Sequence, residues 1–164
     1  MENTATNTAP QVISPEQLLQ HWQGHRRLTR KVIEAFPEEA FFNHKIGGMR
    51  TFADMVKELL AIAEPGLKEI VGGEKQEFDE TRDYGNKKSN LLKQWDIATK
   101  GINDLWTKLS VEDFAETKVL FGQYEFSVLW HIFYFIDNEI HHRGQAYVYL
   151  RSLGIEPPLF YERD

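Results

Sequence analysis

The segment NEIHHRGQAYVYLRSLGIEPP, residues 138–158, ends the longest helix that the sequence predicts. This helix begins near Phe126 and continues to about Leu153. Gly154 is a favourable C-cap, and the following Pro157–Pro158 pair cannot continue a helix. The segment directly follows a run of mostly apolar residues, so the helix combines apolar positions with a polar stretch.

A polar stripe runs along this helix. At 3.6 residues per turn, the side chains within about 40° of the Asn138 direction are His131, His142, Gln145 and Tyr149, with Ser127 and Tyr134 close by. His141 points about 100° away from His142, so the two histidines need separate explanations. Asn138 and His142 are four residues apart and could chelate one metal ion. Alternatively, His142 is a buried histidine that is hydrogen-bonded to asparagine and tyrosine in the core.

The reverse face of the helix is apolar, and its members are Leu129, Ile132, Phe133, Ile136, Ile140 and Tyr147. We therefore expect the helix to be buried on two sides. If the polar stripe faces the interior of the domain, a second copy of the chain is the simplest cover for the apolar face. The sequence thus predicts a homodimer.

Two pairs of opposite charge lie at helical spacing on the same helix. Asp137 precedes His141 by four residues, and Glu139 precedes Arg143 by four residues. Bridges that are exposed to solvent or lie at an interface are the simplest interpretation of both pairs. Gly144 costs about 1 kcal/mol relative to alanine inside a helix, which indicates close approach of another helix or loop.

Three further amphipathic helices precede this one. The first runs from Ser14, with a capping box, to about Phe36, and the second runs from Thr51 to Gly72–Gly73. Pro65 should kink or interrupt the second helix. The third covers residues 91–110.

The segments between the helices are mostly polar. Residues 74–90 read as a long exposed loop, residues 110–114 as a short turn and residues 118–121 as extended chain. Four amphipathic helices without a convincing strand pattern indicate an all-α four-helix bundle. We expect residues 14–164 to form a single domain and residues 1–13 to form a flexible tail.

Composition excludes several classes of function. The net charge of -6 argues against binding to nucleic acid or anionic lipid. Because the chain has no cysteine, a metal would have to be held by histidine and by carboxylate or amide oxygens. The first residues lack the pattern of a signal peptide, and no apolar run is long enough to span a bilayer, so a cytoplasmic location is expected.

The C-terminal helix closely resembles that of the DinB/YfiT-like superfamily, whose usual form reads roughly His-Glu-x-His-His-Arg-Gly-Gln, followed by Leu-Arg, Gly and Pro-Pro. The stretch MRTFADMVKE, residues 49–58, is also similar to the second-helix segment of that family. The resemblance implies an up-down-down-up four-helix bundle, commonly dimeric. It also implies a divalent metal, nickel or zinc, near one end.

In that family the metal is held by three histidines, one from the second helix and two from the fourth. Carried over by position, these ligands fall on Glu58, Asn138 and His142. A neutral amide in place of imidazole should weaken metal affinity and favour harder ions, so manganese joins nickel and zinc as a candidate.

The resemblance leaves two hypotheses for the chemistry. Some family members are thiol S-transferases that use a low-molecular-weight thiol, such as bacillithiol or mycothiol, as cosubstrate in stress or detoxification. His131, Tyr134 and Gln145 would then be pocket residues that contact the substrate or transfer a proton. The second hypothesis is a non-catalytic dimeric binding or stress-response protein whose pocket survives as a polar hydrogen-bond network without metal. DNA binding is a third reading, suggested only by the name of the family and opposed by the charge.

Overall fold

The computed structural model describes residues 12–164, so most of the predicted tail, residues 1–13, lies outside the described residues. The elements follow the order α1 (Pro15–Ala35), α2 (Glu38–Asn43), α3 (Phe52–Gly72), α4 (Lys88–Trp106), a 3-10 turn (Glu112–Ala115), β1 (Thr117–Leu120), β2 (Tyr124–Ser127) and α5 (Val128–Ser152). None of the helices in the described part of the chain is long and apolar enough to cross a membrane.

The ends of the long helices follow local capping chemistry. Ser14 and Gln17 form the predicted capping box of α1. Thr51 accepts a hydrogen bond from the Asp54 amide at the start of α3, and Gly73 ends that helix in the left-handed conformation. Ser127 caps α5, so this member of the predicted polar stripe has a structural role at the helix start.

The four long helices form a bundle in which α1 and α3 lie on one diagonal, because each of them packs against both α4 and α5. The direction of each helix follows from residue pairs. Trp22 packs near Trp106 and Arg30 binds Asp96, so α1 and α4 are antiparallel. Tyr149 donates to the carbonyl of Arg50, whereas Phe135 lies against Gly66, so α3 and α5 are also antiparallel.

Two further contacts complete the topology. Trp22 packs against Phe135, and Thr29, further along α1, binds Glu139, so α1 and α5 are parallel. Combined with the antiparallel pairs, this gives the up-down-down-up order that the resemblance implies. The four-helix-bundle prediction is confirmed.

Three local features differ from the sequence prediction. The short helix α2 was not predicted, and residues Tyr124–Ser127, in part assigned to the last helix, form the second strand of an antiparallel hairpin. Pro65 does not interrupt α3, which is continuous from Phe52 to Gly72. Packing explains this result, because Leu67 and Ile70, beyond the proline, are both buried in the core and hold the second half of the helix in place.

A buried charged layer lies between α1 and α5 and separates two apolar clusters of the core. Glu139 is only 1% exposed. It accepts a hydrogen bond of 2.6 Å from the Thr29 hydroxyl and lies 3.7 Å from the guanidinium groups of both Arg26 and Arg143. The expected exposed or interfacial bridge between Glu139 and Arg143 is therefore wrong, because Arg26 and Thr29 supply the partners that allow burial.

Burial and neighbouring charges shift the pKa values of the ionisable groups in this layer. Burial raises the pKa of Glu139, against the opposing effect of Arg26. Burial also lowers the pKa of Arg26 to about 10, while its guanidinium stacks 3.5 Å from the centre of the Trp95 ring. His25, which receives a hydrogen bond from Arg143, has a pKa lowered to about 3 by burial and by the Arg143 charge, so it is neutral at pH 7.

The apolar face predicted for α5 is only partly free. Ile132 and Ile136 are buried in the core of the same chain, so they are not available to contact a second chain. The large apolar side chains that α5 exposes most are Trp130, Val148 and Tyr134. Apart from its neighbours in the same helix, no atom of residues 12–164 lies within 4 Å of a Cβ built on Gly144, so the close approach expected at this glycine does not occur in this part of the chain.

Replacing Glu139 with alanine should lower the free energy of unfolding by about 3–5 kcal/mol, because two buried guanidinium groups lose their only shared carboxylate. Urea denaturation of the wild-type and variant proteins measures this difference. Asp137→Ala is the matched control, since Asp137 is exposed on the same helix and should change stability by less than about 0.5 kcal/mol. Equal, small effects of the two substitutions would contradict a structural role for the layer.

Candidate functional site

Glu58, Asn138 and His142 meet between α3 and α5. The Asn138 amide and the Nε2 atom of His142 each lie 3.2 Å from Oε1 of Glu58. Because a carboxylate only accepts hydrogen bonds, both groups donate to this one oxygen. The three residues that the family resemblance selects are thus brought together, although Glu58 lies at the edge of the buried face of α3 with its side chain 13% exposed.

Arg50 completes the surroundings of Glu58. Its guanidinium forms an ion pair with Oε2 of Glu58 and lies 3.4 Å from the carboxylate of Glu80. The Tyr149 hydroxyl donates a hydrogen bond of 2.8 Å to the Arg50 carbonyl, which fixes the backbone next to the start of α3. One guanidinium is therefore shared by two carboxylates.

Hydrogen bonding keeps Glu58 ionised. The bond from His142 is the largest cause that lowers its pKa, to about 2, and the Arg50 ion pair acts in the same direction. Partial burial opposes the shift but does not outweigh these contacts. Glu58 therefore carries a full negative charge throughout the physiological pH range.

The two adjacent histidines take different positions, as expected. His142 is buried, whereas His141 is exposed. Gln145 lies between them, with its amide 3.3 Å from Nδ1 of His142 and 3.2 Å from Nε2 of His141. The predicted pair between Asp137 and His141 does not form, because His141 is directed toward Gln145 instead.

A cavity of about 460 Å³ lies beside the Glu58 cluster, between α3, α5 and the β-hairpin. Its aromatic walls are made by Phe78, Phe121, Tyr124, Phe126, Tyr134 and Phe135. Glu58, Glu80 and His131 are the polar residues that line it, together with two aliphatic side chains. Of the three predicted pocket candidates, His131 and Tyr134 line this cavity, whereas Gln145 contacts His142 from outside its lining.

His131 is held in place by the hairpin. Its Nε2–H donates a hydrogen bond of 3.0 Å to the Lys118 carbonyl on β1, since a carbonyl can only accept. The ring stacks on Phe135 and meets the edge of Phe126. His131 thus joins the hairpin to α5 and presents part of the cavity wall.

The wall opposite α5 depends on an unusual turn. Phe121 adopts a left-handed conformation, with φ of 54°, followed by Gly122 with φ of 72°. This conformation is strained for a bulky residue and persists only when its surroundings hold it. The buried carboxylate of Glu69 supplies that hold, because it accepts hydrogen bonds from the backbone amides of Phe121, at 3.0 Å, and Gln76, at 3.2 Å.

Sequence reasoning missed Arg50, Glu80 and most of the aromatic wall. Arg50 precedes the N-cap of α3, and Phe78 and Glu80 lie in the connection between α3 and α4. No helical spacing relates these positions to Glu58. The extended chain predicted at residues 118–121 was the only signal that pointed toward the hairpin wall.

In this arrangement the three side chains bond to one another, and none of them is aimed at a divalent ion. The Asn138 amide presents its NH₂ group to Glu58, and the His142 nitrogen that faces Glu58 carries a hydrogen, so neither offers a lone pair there. The Arg50 guanidinium already provides the positive charge beside Oε2. Within residues 12–164, no group of three or more His, Cys, Asp or Glu side chains is arranged to hold a metal.

Comparisons with known proteins identify relatives of the chain. The sequence model of the DinB family matches residues 1–164. A DinB-like protein from Bacillus cereus has a similar structure, with a TM-score of 0.73, 18% sequence identity, and coverage of 89% of this chain and 97% of that one. The DinB-like protein YjoA from Bacillus subtilis gives a TM-score of 0.71 at 21% identity, covering 90% of this chain and 99% of that one. These two similarities concern the fold alone, and the comparison with curated proteins gave no match.

Replacing Glu69 with alanine should loosen the cavity wall without unfolding the bundle, because the amides of Phe121 and Gln76 lose their shared acceptor. Hydrogen exchange should accelerate by about tenfold or more for residues 74–80 and 121–126, while exchange in α1 and α4 stays unchanged. Glu77→Ala, in the same connection, is the control. Unaltered exchange at both segments in Glu69→Ala would show that the turn does not need this carboxylate.

Proposed function

The chain belongs to the DinB family, and on this premise we propose that it binds a small organic molecule in the aromatic cavity beside Glu58. In this proposal Glu58, Asn138 and His142 form a hydrogen-bonded anchor at one end of the cavity rather than a metal centre. The function of the protein would therefore depend on which small molecule this cavity binds.

One observation carries the proposal. Both oxygens of Glu58 already have partners, since Oε1 accepts from Asn138 and His142 and Oε2 pairs with Arg50. An ionised carboxylate that is satisfied in this way is stable without a metal ion. The adjacent cavity has the volume and the mainly apolar lining that small-molecule sites generally show.

A metal-dependent thiol S-transferase is the second candidate. It is supported by the convergence of the three family ligand positions, Glu58, Asn138 and His142, at one end of the cavity. Such an enzyme would require the Arg50 guanidinium to leave Oε2 of Glu58 and the Asn138 amide to turn its oxygen inward. Its metal would be nickel, zinc or manganese, and its cosubstrate a low-molecular-weight thiol.

Metal retention separates the two candidates. Wild-type protein and His142→Ala, purified without a histidine tag, are incubated with nickel, zinc or manganese, dialysed exhaustively and analysed for metal. We expect no stoichiometric retention in either protein, because Arg50 and the two donors already occupy both oxygens of Glu58. Wild-type retention near one ion per chain that is lost in His142→Ala would overturn the metal-free anchor and favour the thiol-transferase candidate.

The double variant Arg50→Gln/Asn138→His is the positive control for this measurement. It removes the competing guanidinium and adds a second imidazole one helical turn from His142. Two imidazoles at this spacing with one carboxylate are a common zinc-binding set, so this variant should retain zinc or nickel.

We also propose that the protein is a homodimer that packs through the exposed side of α5. Trp130, 64% exposed, and Val148, 56% exposed, lie on this side, and Gly144 between them leaves room for close approach. Apolar side chains around a small residue on one helix face suit a two-fold helix contact. This surface differs from the one predicted from sequence, because Ile132 and Ile136 are already buried.

Sedimentation equilibrium tests the dimer. The wild-type protein should sediment at the mass of two chains, and Val148→Asp should shift it toward one chain by placing a charge in the apolar contact. Val111→Asp introduces the same charge at an exposed site outside α5 and should leave the dimer intact. A wild-type protein that sediments as a single chain at all concentrations would refute the proposal.

A further inference from the structure

We propose that the ligand of the aromatic cavity is an organic cation, an amine or quaternary ammonium group attached to an apolar body. This inference rests on the proposed function, since it names the chemical class of the ligand that would bind in the same cavity. It is carried by the composition of the walls and by the balance of charge around the cavity.

The aromatic walls suit a cation. Six phenylalanine and tyrosine side chains line the cavity, among them Phe78 and Phe121, whose ring centres are 5.7 Å apart. Aromatic faces carry a negative quadrupole and attract alkylammonium groups, which lose less hydration than a metal ion would. The same walls bury an apolar body, so head group and body are recognised in one space.

Charge around the cavity is negative in excess. Glu58 and Glu80 line it, and the single guanidinium of Arg50 pairs with both of them. Among the described residues that line the cavity, none is lysine or arginine. His142 does not line the cavity, and Lys75, whose ammonium approaches Gly122, does not line it either. A ligand cation would supply the second positive charge for the two carboxylates.

The remaining polar groups do not favour an anion. The Nε2–H of His131 is committed to the Lys118 carbonyl, so it is not free to donate to a bound carboxylate or phosphate. The pKa of the Tyr134 hydroxyl is raised first by burial and then by the negative charge of Glu58. An anionic ligand would face two carboxylates, and none of the described residues that line the cavity is a lysine or arginine that could compensate them.

A pair of probes of equal shape tests the inference. Benzyltrimethylammonium and its neutral carbon analogue neopentylbenzene differ in charge but have nearly the same size. Binding of each to the full-length protein is followed by chemical-shift changes in the NMR spectrum at low salt. We expect the cation to bind about tenfold or more tightly than the neutral analogue, with shifts in residues of the cavity wall.

Glu80→Gln should weaken binding of the cation about fivefold and leave the neutral probe unchanged, because it removes one of the two lining carboxylates. Glu77→Gln is the matched control, since Glu77 lies in the same connection but does not line the cavity, and both probes should bind to it as to the wild type. Equal or tighter binding of the neutral probe would overturn the cation inference and leave the proposed binding function standing. Binding of neither probe would overturn both.

Discussion

The buried carboxylate of Glu139 determines how α5 is rotated within the bundle. Its partners, Thr29 and Arg26 on α1 and Arg143 one turn further along α5, are available in one orientation of the helix. Asn138 and His142 each precede a member of this layer by one residue, so they point about 100° away from it. That rotation directs them toward Glu58 on α3. The charged layer and the candidate site are therefore two faces of the same turns of α5, and the geometry of one depends on the other.

The fold was largely predictable because the long helices carry several independent signals. Capping residues, apolar periodicity and terminal glycine or proline agree in α1, α3 and α5. The short helix α2 and strand β2 span only a few residues each, and tertiary contacts decide their structure. Tertiary contacts also decide the structure at Pro65. Proline is disfavoured in the interior of a helix, but the core packing of the residues beyond it outweighs this tendency.

Only those residues of the candidate site that lie in a recognisable helical motif were predictable from the sequence. Asn138 and His142 follow from spacing, and Glu58 follows from the family resemblance. Arg50 and Glu80 belong to segments outside the helices, so their approach to Glu58 depends on the packed structure. The burial of the pair Glu139 and Arg143 could not be predicted for a similar reason. A spacing of four residues is the same for an exposed and a buried ion pair, and Arg26, whose contact shows that this pair is buried, lies on a different helix.

The parallel arrangement of α3 and α4 obliges the chain to return along the bundle between them. A helix of the length of α3 is about 30 Å long, so this return, residues 73–87, cannot be a tight turn. It carries Phe78 and Glu80 to the cavity while contributing little to the buried core of the bundle. The topology thus separates a part of the chain that can accumulate substitutions from the part that must keep the protein folded. Relatives with the same bundle could acquire different ligand preferences by exchanging this one connection, as antibodies do with their loops.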